Sequence, residues 1–412
     1  MRSFIVYVLL AVMATLPALI LRFGTWQPNA LVAVIFFGCA ILAAGFLLSW
    51  GAEHAERFVS QGLILALVAL VTVLPEYAVD LYYAYKAGQN PQSMYVHYAA
   101  ANMTGANRLL VGLAWPLIAV LHWYKTRQRA IDLQPANGLE IGFLLGASMY
   151  AFIILLRDQI GLWDTLLLVG LFGAYLWRVS HAPKAQEEEE EEEEPGPAAA
   201  LSKLPKAQQW GVIGTLTAVA SGVILVCAEP FAESIVRAGR QVGIDEFLLI
   251  QWLAPLASEA PAVSIAVLFV LAGRSEAGLT AMISDKINQW TLLIGMLPLA
   301  MSVGASALTA LPLDARQHEE FFLTATQSLF GVAVLLRFRL SLWHAAILVG
   351  LFSAQIGLAF HYQHDPVASV RALTYLGWVY LALALVFFIL NFPQLKAVAR
   401  RVLRGSAGSI PD

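Results

Sequence analysis

The chain has 412 residues, of which 59% are apolar and only 13% charged, and its mean hydropathy is +0.69. The apolar residues fall in repeated blocks long enough to cross a bilayer, which points to a multi-span membrane protein and excludes a soluble enzyme. The net charge of −3 is dominated by one glutamate run at 187–194 and says little about partners.

In chain order, "SFIVYVLLAVMATLPALIL" is too long for a signal-peptide core and has no small-residue cleavage site after it, so it reads as a retained first helix. Apolar blocks of roughly 20 residues then predict about twelve helices, near 3–22, 29–50, 60–86, 95–122, 139–157, 161–179, 209–235, 245–272, 277–308, 320–338, 341–360 and 372–392. Cys39 and Cys227 lie inside spans far apart in sequence, which fits small packing residues and neither a disulfide framework nor a thiolate metal site. Basic residues gather in alternate loops, among them Lys125, Arg127, Arg129, Lys203, Lys206, Arg274 and the tail Lys396 to Arg404. The positive-inside bias therefore places both termini and the central linker in the cytoplasm, with the protein integral to a bacterial inner (plasma) membrane. That linker, "HAPKAQEEEEEEEEPGPAAALSKLPKAQQ", repels itself and cannot bury a core, so a disordered tether is expected; a divalent-cation buffer or regulatory segment is the alternative.

The halves on either side of the linker repeat each other. "LLRDQIGLWDTLLLVGLFGA" from 155 matches "LLRFRLSLWHAAILVGLFSA" from 335, with Arg157 on Arg337, Trp163 on Trp343 and Gly170 on Gly350. "WGAEHAERFV" from 50 and "VCAEPFAESIV" from 226 share an Ala-Glu pair and a second Glu. With the first helix set aside, each unit holds an odd number of spans, so the second copy inserts upside down. The expected fold is an all-α polytopic membrane protein of two inverted five-helix repeats plus one extra helix at each end. Its segments are an N-terminal helix (1–28), a first repeat (29–180), the acidic linker (181–207), a second repeat (208–362) and a C-terminal helix with a basic tail (363–412).

Ionisable residues interrupt the apolar blocks at corresponding places. In the first unit "VTVLPEYAVDLYYAYK" carries Glu76 and Asp80, and "ANMTGANRLL" carries Asn102 and Asn107. In the second, "LAPLASEAPAVSIAVL" carries Ser258 and Glu259, and "LTAMISDKINQW" carries Ser284, Asp285 and Asn288. A carboxylate at the centre of a membrane helix opposes insertion by about 2.5 to 3.5 kcal/mol, which makes each a functional candidate. Prolines beside the acids, Pro75, Pro255 and Pro261, remove helix hydrogen bonds and free carbonyl oxygens as further ligands.

These segment pairs resemble the two α-repeats of the calcium/cation antiporter superfamily, the sodium/calcium exchanger fold. "VTVLPE" is similar to its Gly-Thr-Ser-Leu-Pro-Glu helix through Thr72, Leu74, Pro75 and Glu76, and "ANMTGAN" to its Gly-Asn-x-x-Gly-Ser-Asn helix through Asn102, Gly105 and Asn107. In the second unit Glu259 stands for the first motif, while "ISD" sets Ser284 and Asp285 on the Ser-Asn positions. The resemblance implies alternating-access exchange of a cation such as Ca²⁺, with Glu76 and Glu259 as its main ligands and Asn107 and Asp285 completing the shell. Asp80, one turn beyond Glu76 on the same face, is a fifth candidate metal ligand, and Thr72, Asn102, Ser258, Ser284 and Asn288 are supporting candidates. Once the ion leaves, the carboxylates must be neutralised by sodium ions or protons, which makes an exchanger and not a channel. Val73, Leu256 and Ala106 replace hydroxyls that would help hold sodium, which suits protonated carboxylates at least as well.

Plainer roles compete. Glu76 and Glu259 could be structural acids paired with Arg108 and Lys286, which act as charge modulators if they point inward. Asp80 could be a packing acid held by Tyr77, Tyr82, Tyr83 and Tyr85, and Asn102, Ser258 and Asn288 could be interhelical glue. Gly105 more often permits close helix approach than touches an ion. The rivals to Ca²⁺ exchange are a monovalent Na⁺/H⁺ exchanger on the same fold, and a non-transporting scaffold or sensor. No enzyme motif, cofactor site or nucleic-acid surface is present; inorganic cations and the lipid bilayer are the expected partners. A monomer is compatible with this pattern, which leaves the oligomeric state open.

Overall fold

A computed structural model describes residues 2–26, 28–55, 73–181 and 197–404. The first half contains α1 (Arg2–Phe23), α2 (Ala30–Ala55), α3 (Leu74–Gln89), α4 (Tyr95–Leu109), α5 (Trp115–Thr126), α6 (Gly138–Leu155) and α7 (Leu162–Ser180). The second contains α8 (Lys206–Val242), α9 (Glu246–Leu271), α10 (Ser275–Asn288), α11 (Ile294–Ala305), α12 (Ala315–Leu335), α13 (Leu342–His361), α14 (Pro366–Leu390) and α15 (Phe392–Arg404). Five-residue π-helical segments, Leu110–Ala114 and Gln289–Leu293, join α4 to α5 and α10 to α11, so that each pair forms one long bent span. Thr72 and the glutamate run at 187–194 lie outside the described residues.

Among the described residues, ten helices are long and apolar enough to cross a membrane. The remaining two expected spans take a different form. The third, expected at 60–86, is described only from Val73 onward, as α3. The tenth is α12, and it carries Glu319, Glu320, Thr324, Thr326, Gln327 and Ser328, all buried. A helix enclosed by other helices need not present an apolar face to lipid, so its polar residues are compatible with membrane depth.

The protein is a polytopic all-α membrane protein built as two inverted five-helix units, α2 to α7 and α8 to α13, with α1 and α14 outside them. The backbone repeats its irregularities in both units. Arg127 (φ 60) corresponds to Ser306 (φ 52), each in the left-handed region at the end of its bent span, and Asp158 (φ 50) corresponds to Phe338 (φ 53). Short strands then tie the units crosswise: β1 (Ala130–Asp132) pairs antiparallel with β4 (Arg339–Ser341), and β2 (Gln159–Ile160) with β3 (Leu311–Pro312). Leu133 N–H donates to Phe338 O at 2.7 Å, and Leu313 N–H donates to Asp158 O at 2.8 Å, the same bond with the units exchanged. Ser148 of α6 donates to Ser328 of α12 at 3.0 Å, hydroxyl to hydroxyl across the pseudo-two-fold axis.

Close backbone contacts hold the motif helices against one another. In lipid, helices associate by van der Waals packing, which favours small residues at crossings. A Cβ on Gly105 would fall 1.8 Å from the Gln251 carbonyl oxygen, so only glycine lets α4 lie against α9 there. Gly45 of α2 faces both motif prolines: a Cβ would sit 2.5 Å from Pro261 Cγ and 3.6 Å from Pro75 Cγ. Cys227 is a buried packing residue as expected, but Cys39 is exposed on α2, where an apolar thiol is compatible with lipid. The basic tail is helical: α15 lies against α6, and Arg401 donates to the Pro135 carbonyl.

Candidate cation-binding site

Glu76 stands in the first turn of α3, where Pro75 occupies a position that needs no helical N–H donor. The acid therefore faces the positive end of the α3 dipole. Glu259 lies within α9 between Pro255 and Pro261. Pro261 has no N–H, so the Ala257 carbonyl four residues earlier lacks its helical donor. Asp285 sits one turn ahead of the π segment Gln289–Leu293, and Gln289 shares its face of the helix.

These three acids converge. One carboxylate oxygen from each of Glu76, Glu259 and Asp285 lies within 4.8 Å of the others. Glu76 and Glu259 are 2% and 3% exposed, and Asp285 is the least enclosed of the three. Oxygens on opposite sides of a Ca²⁺ ion, each at about 2.4 Å, are about 4.8 Å apart, so oxygens within that distance of one another can share one such ion. Three negative charges this close cannot stand together in a buried space without protons or a cation to offset them. Gln289, which the sequence reading missed, donates from Nε2 to Glu259 Oε1 at 2.6 Å and fixes that carboxylate.

The other candidates are arranged differently. Asp80 is fully buried beside Asn102 but outside the cluster, and neither of its oxygens makes a well-formed hydrogen bond among the described residues. The tyrosines do not hold it: Tyr77 donates to Asn288 Oδ1 at 3.0 Å, Tyr82 to Glu233 at 2.7 Å and Tyr83 to the Ala232 carbonyl at 3.2 Å. Ser258 turns back onto the carbonyls of Ala254 and Pro255, and Ser284 accepts from Tyr175 at 2.8 Å. Asn288 is thus bound to Tyr77, the interhelical contact foreseen as its plainer role. Gly105 serves close helix approach.

The two cations pair with neither Glu76 nor Glu259. Arg108 Nη2 lies 2.5 Å from Glu320 Oε2, and its guanidinium carbon is 5.2 Å from the Trp252 ring centroid. Gln251 donates to the same Glu320 oxygen at 2.8 Å. Lys286 Nζ donates to Asn107 Oδ1 at 2.7 Å and to Asn107 O at 3.1 Å. Asn107 is therefore engaged by a protein cation. The register of the repeats is also corrected: Asn107 and Lys286 each stand three residues before their π segments, so Lys286, and not Asp285, matches Asn107. Glu320 and Gln251 went unforeseen because polar residues scattered through α12 and α9 share no motif.

Two inverted units that bring acids together in the interior of a membrane bundle define a secondary cation transporter. The sequence profile of the sodium/calcium exchanger protein family matches residues 29–180 and 213–361. The chain belongs to this family and is a cation antiporter. Among solved structures it is similar to the H⁺/Ca²⁺ exchanger CAX, with 39% identity, a TM-score of 0.89 and 98% of each chain covered. Its fold is also that of YfkE (13% identity, TM-score 0.60, 87% of this chain and 99% of that one). The sodium-calcium exchanger NCX_Mj shares it too (16%, 0.52, 80% and 99%). A search of the curated proteins gave no match.

Proposed function

We propose that the protein exchanges Ca²⁺ for protons, with Glu76, Glu259 and Asp285 as the shared binding groups. The observation that carries this reading is the meeting of the three carboxylates within 4.8 Å, with acids drawn from both units. A bound Ca²⁺ supplies the positive charge that the cluster needs, and protons replace that charge on the return step. Binding both would leave too much positive charge and binding neither too much negative, so the two are carried alternately. The similarity to a structure described as an H⁺/Ca²⁺ exchanger supports the same pair of ions here, as does the presence of Val73, Leu256 and Ala106 where hydroxyls would assist sodium.

The flanking helices α1 and α14, the linker and the basic tail lie outside the exchange unit in this reading. The alternation of basic loops supports cytoplasmic termini and linker in a bacterial inner membrane, with Ca²⁺ moved outward. The test is flux in proteoliposomes. Uptake of radioactive calcium should follow an imposed pH gradient and be accompanied by opposite proton movement. Sodium-driven pH change without calcium uptake would refute the reading in favour of a monovalent exchanger.

A further inference from the structure

We propose that Lys286 is a tethered cation that fills the place of a monovalent co-ion and so sets the carrier's selectivity against sodium, an inference that rests on the calcium/proton reading. Lys286 is 1% exposed, and its Nζ donates to the side-chain oxygen of Asn107 at 2.7 Å and to the main-chain oxygen at 3.1 Å. Asn107 cannot turn away freely, because its amide nitrogen donates to Met103 O at 2.9 Å. The Trp290 ring, 4.6 Å from Nζ to its centroid, lies against the ammonium and adds a cation–π contact. Arg108 and, more weakly, Glu76 lie within electrostatic reach of the ammonium.

Backbone carbonyls at the repeat interface coordinate Na⁺ in transporters of inverted-repeat architecture, and the Asn107 carbonyl together with its side-chain amide oxygen offers two such hard oxygens at one point. Here the niche is occupied by a compact point charge on a flexible stem that belongs to the protein. Two consequences follow. The ammonium offsets one of the three nearby carboxylates, leaving a net charge that a single divalent ion balances. A sodium ion entering the niche would have to displace the ammonium and strand it, unpaired, in a buried space, at a cost that removes any advantage of binding.

The repeat explains how the arrangement arises. Asn107 and Lys286 occupy equivalent positions ahead of the two π segments. The pseudo-two-fold axis brings these positions face to face, an acceptor from one unit and a donor from the other.

The experiment compares wild type, Lys286→Met and Asn107→Asp in proteoliposomes at equal pH on both sides, with an outward Na⁺ gradient as the driving force for radioactive calcium uptake. Wild type should ignore the gradient. Lys286→Met, which keeps an unbranched apolar stem and removes the charge, should gain sodium-driven uptake of about tenfold over its own sodium-free level. Asn107→Asp sets a carboxylate against the ammonium, holds it in place and should stay indifferent to sodium. A Lys286→Met carrier that moves calcium in a pH gradient but ignores sodium overturns the proposal, as does a wild type already driven by sodium. If Lys286→Met does not give a monodisperse protein, Lys286→Gln, which retains a donor for Asn107, is scored by the same criterion. A wild type that moves calcium under neither gradient overturns the calcium/proton reading itself, an outcome distinct from calcium movement driven by protons with sodium without effect in every variant.

Discussion

Replacing Arg108 by methionine probes the buried charge pair beside the site. Arg108 Nη2 and Glu320 Oε2 are 2.5 Å apart with side chains 0% and 2% exposed, which at an effective dielectric of about 20 gives an attraction of roughly 7 kcal/mol. Withdrawing both ions from water costs several kcal/mol each, so the intact pair contributes little compared with two apolar side chains of the same volume. Breaking it is another matter. Glu320 would keep Gln251 at 2.8 Å but lose its countercharge, and a buried charge left this way costs about 3 to 5 kcal/mol. Arg108→Met and Glu320→Met should each destabilise by that amount, and the double variant should lose less than either single variant, far below the roughly 6 to 10 kcal/mol that two additive losses would give. The measurement is unfolding by SDS titration in mixed micelles, followed by circular dichroism. Additive losses in the double variant would show that the two side chains act independently and would refute the reasoning.

Glu76→Gln and Glu259→Gln each remove a charge from a cluster whose oxygens lie within 4.8 Å of one another, and each should lower calcium exchange by more than about a hundredfold; near-normal uptake by either variant would remove that residue from the site. Calcium affinity should strengthen as pH rises, because ligands must release protons to bind the ion, with up to about a tenfold change per pH unit for each proton released. Calorimetric titration at several pH values measures this, and a flat profile contradicts competition for the same oxygens. Gly105→Ala would push a methyl group to 1.8 Å from the Gln251 carbonyl and should cost about 1 to 3 kcal/mol of stability while impairing transport. Unchanged thermal stability in detergent would show that α4 and α9 can separate freely there.

The spans were legible because lipid demands apolar residues over a fixed length, and the acids because they break that rule. Glu76, Glu259 and Asp285 could be picked out on this ground alone, one segment at a time. What composition could not convey was direction. Asp80 is as buried as Glu76 and stands one turn away, yet it lies outside the cluster beside Asn102. Arg108 and Lys286 follow neighbouring motif positions but turn to Glu320 and Asn107. The repeat alignment slipped by one residue around Asp285, and on a helix such a slip rotates a side chain by about 100°. The shared π segments fix the register, and nothing in the local sequence announces them. Glu320 was hidden for a related reason: α12 is shielded by its neighbours, so its polar residues show no face that a periodicity would reveal.

The crosswise strand pairs and the repeated left-handed residues give the frame a further property. In a carrier made of two identical halves mounted head to tail, the state open to one compartment would be the two-fold rotated copy of the state open to the other, and the two would be equally populated. Any resting preference must therefore come from places where the halves disagree, such as Arg108 against Ile287 or Asn107 against Lys286. Exchanging the members of such a pair should reverse the preference for one side while leaving the cargo unchanged.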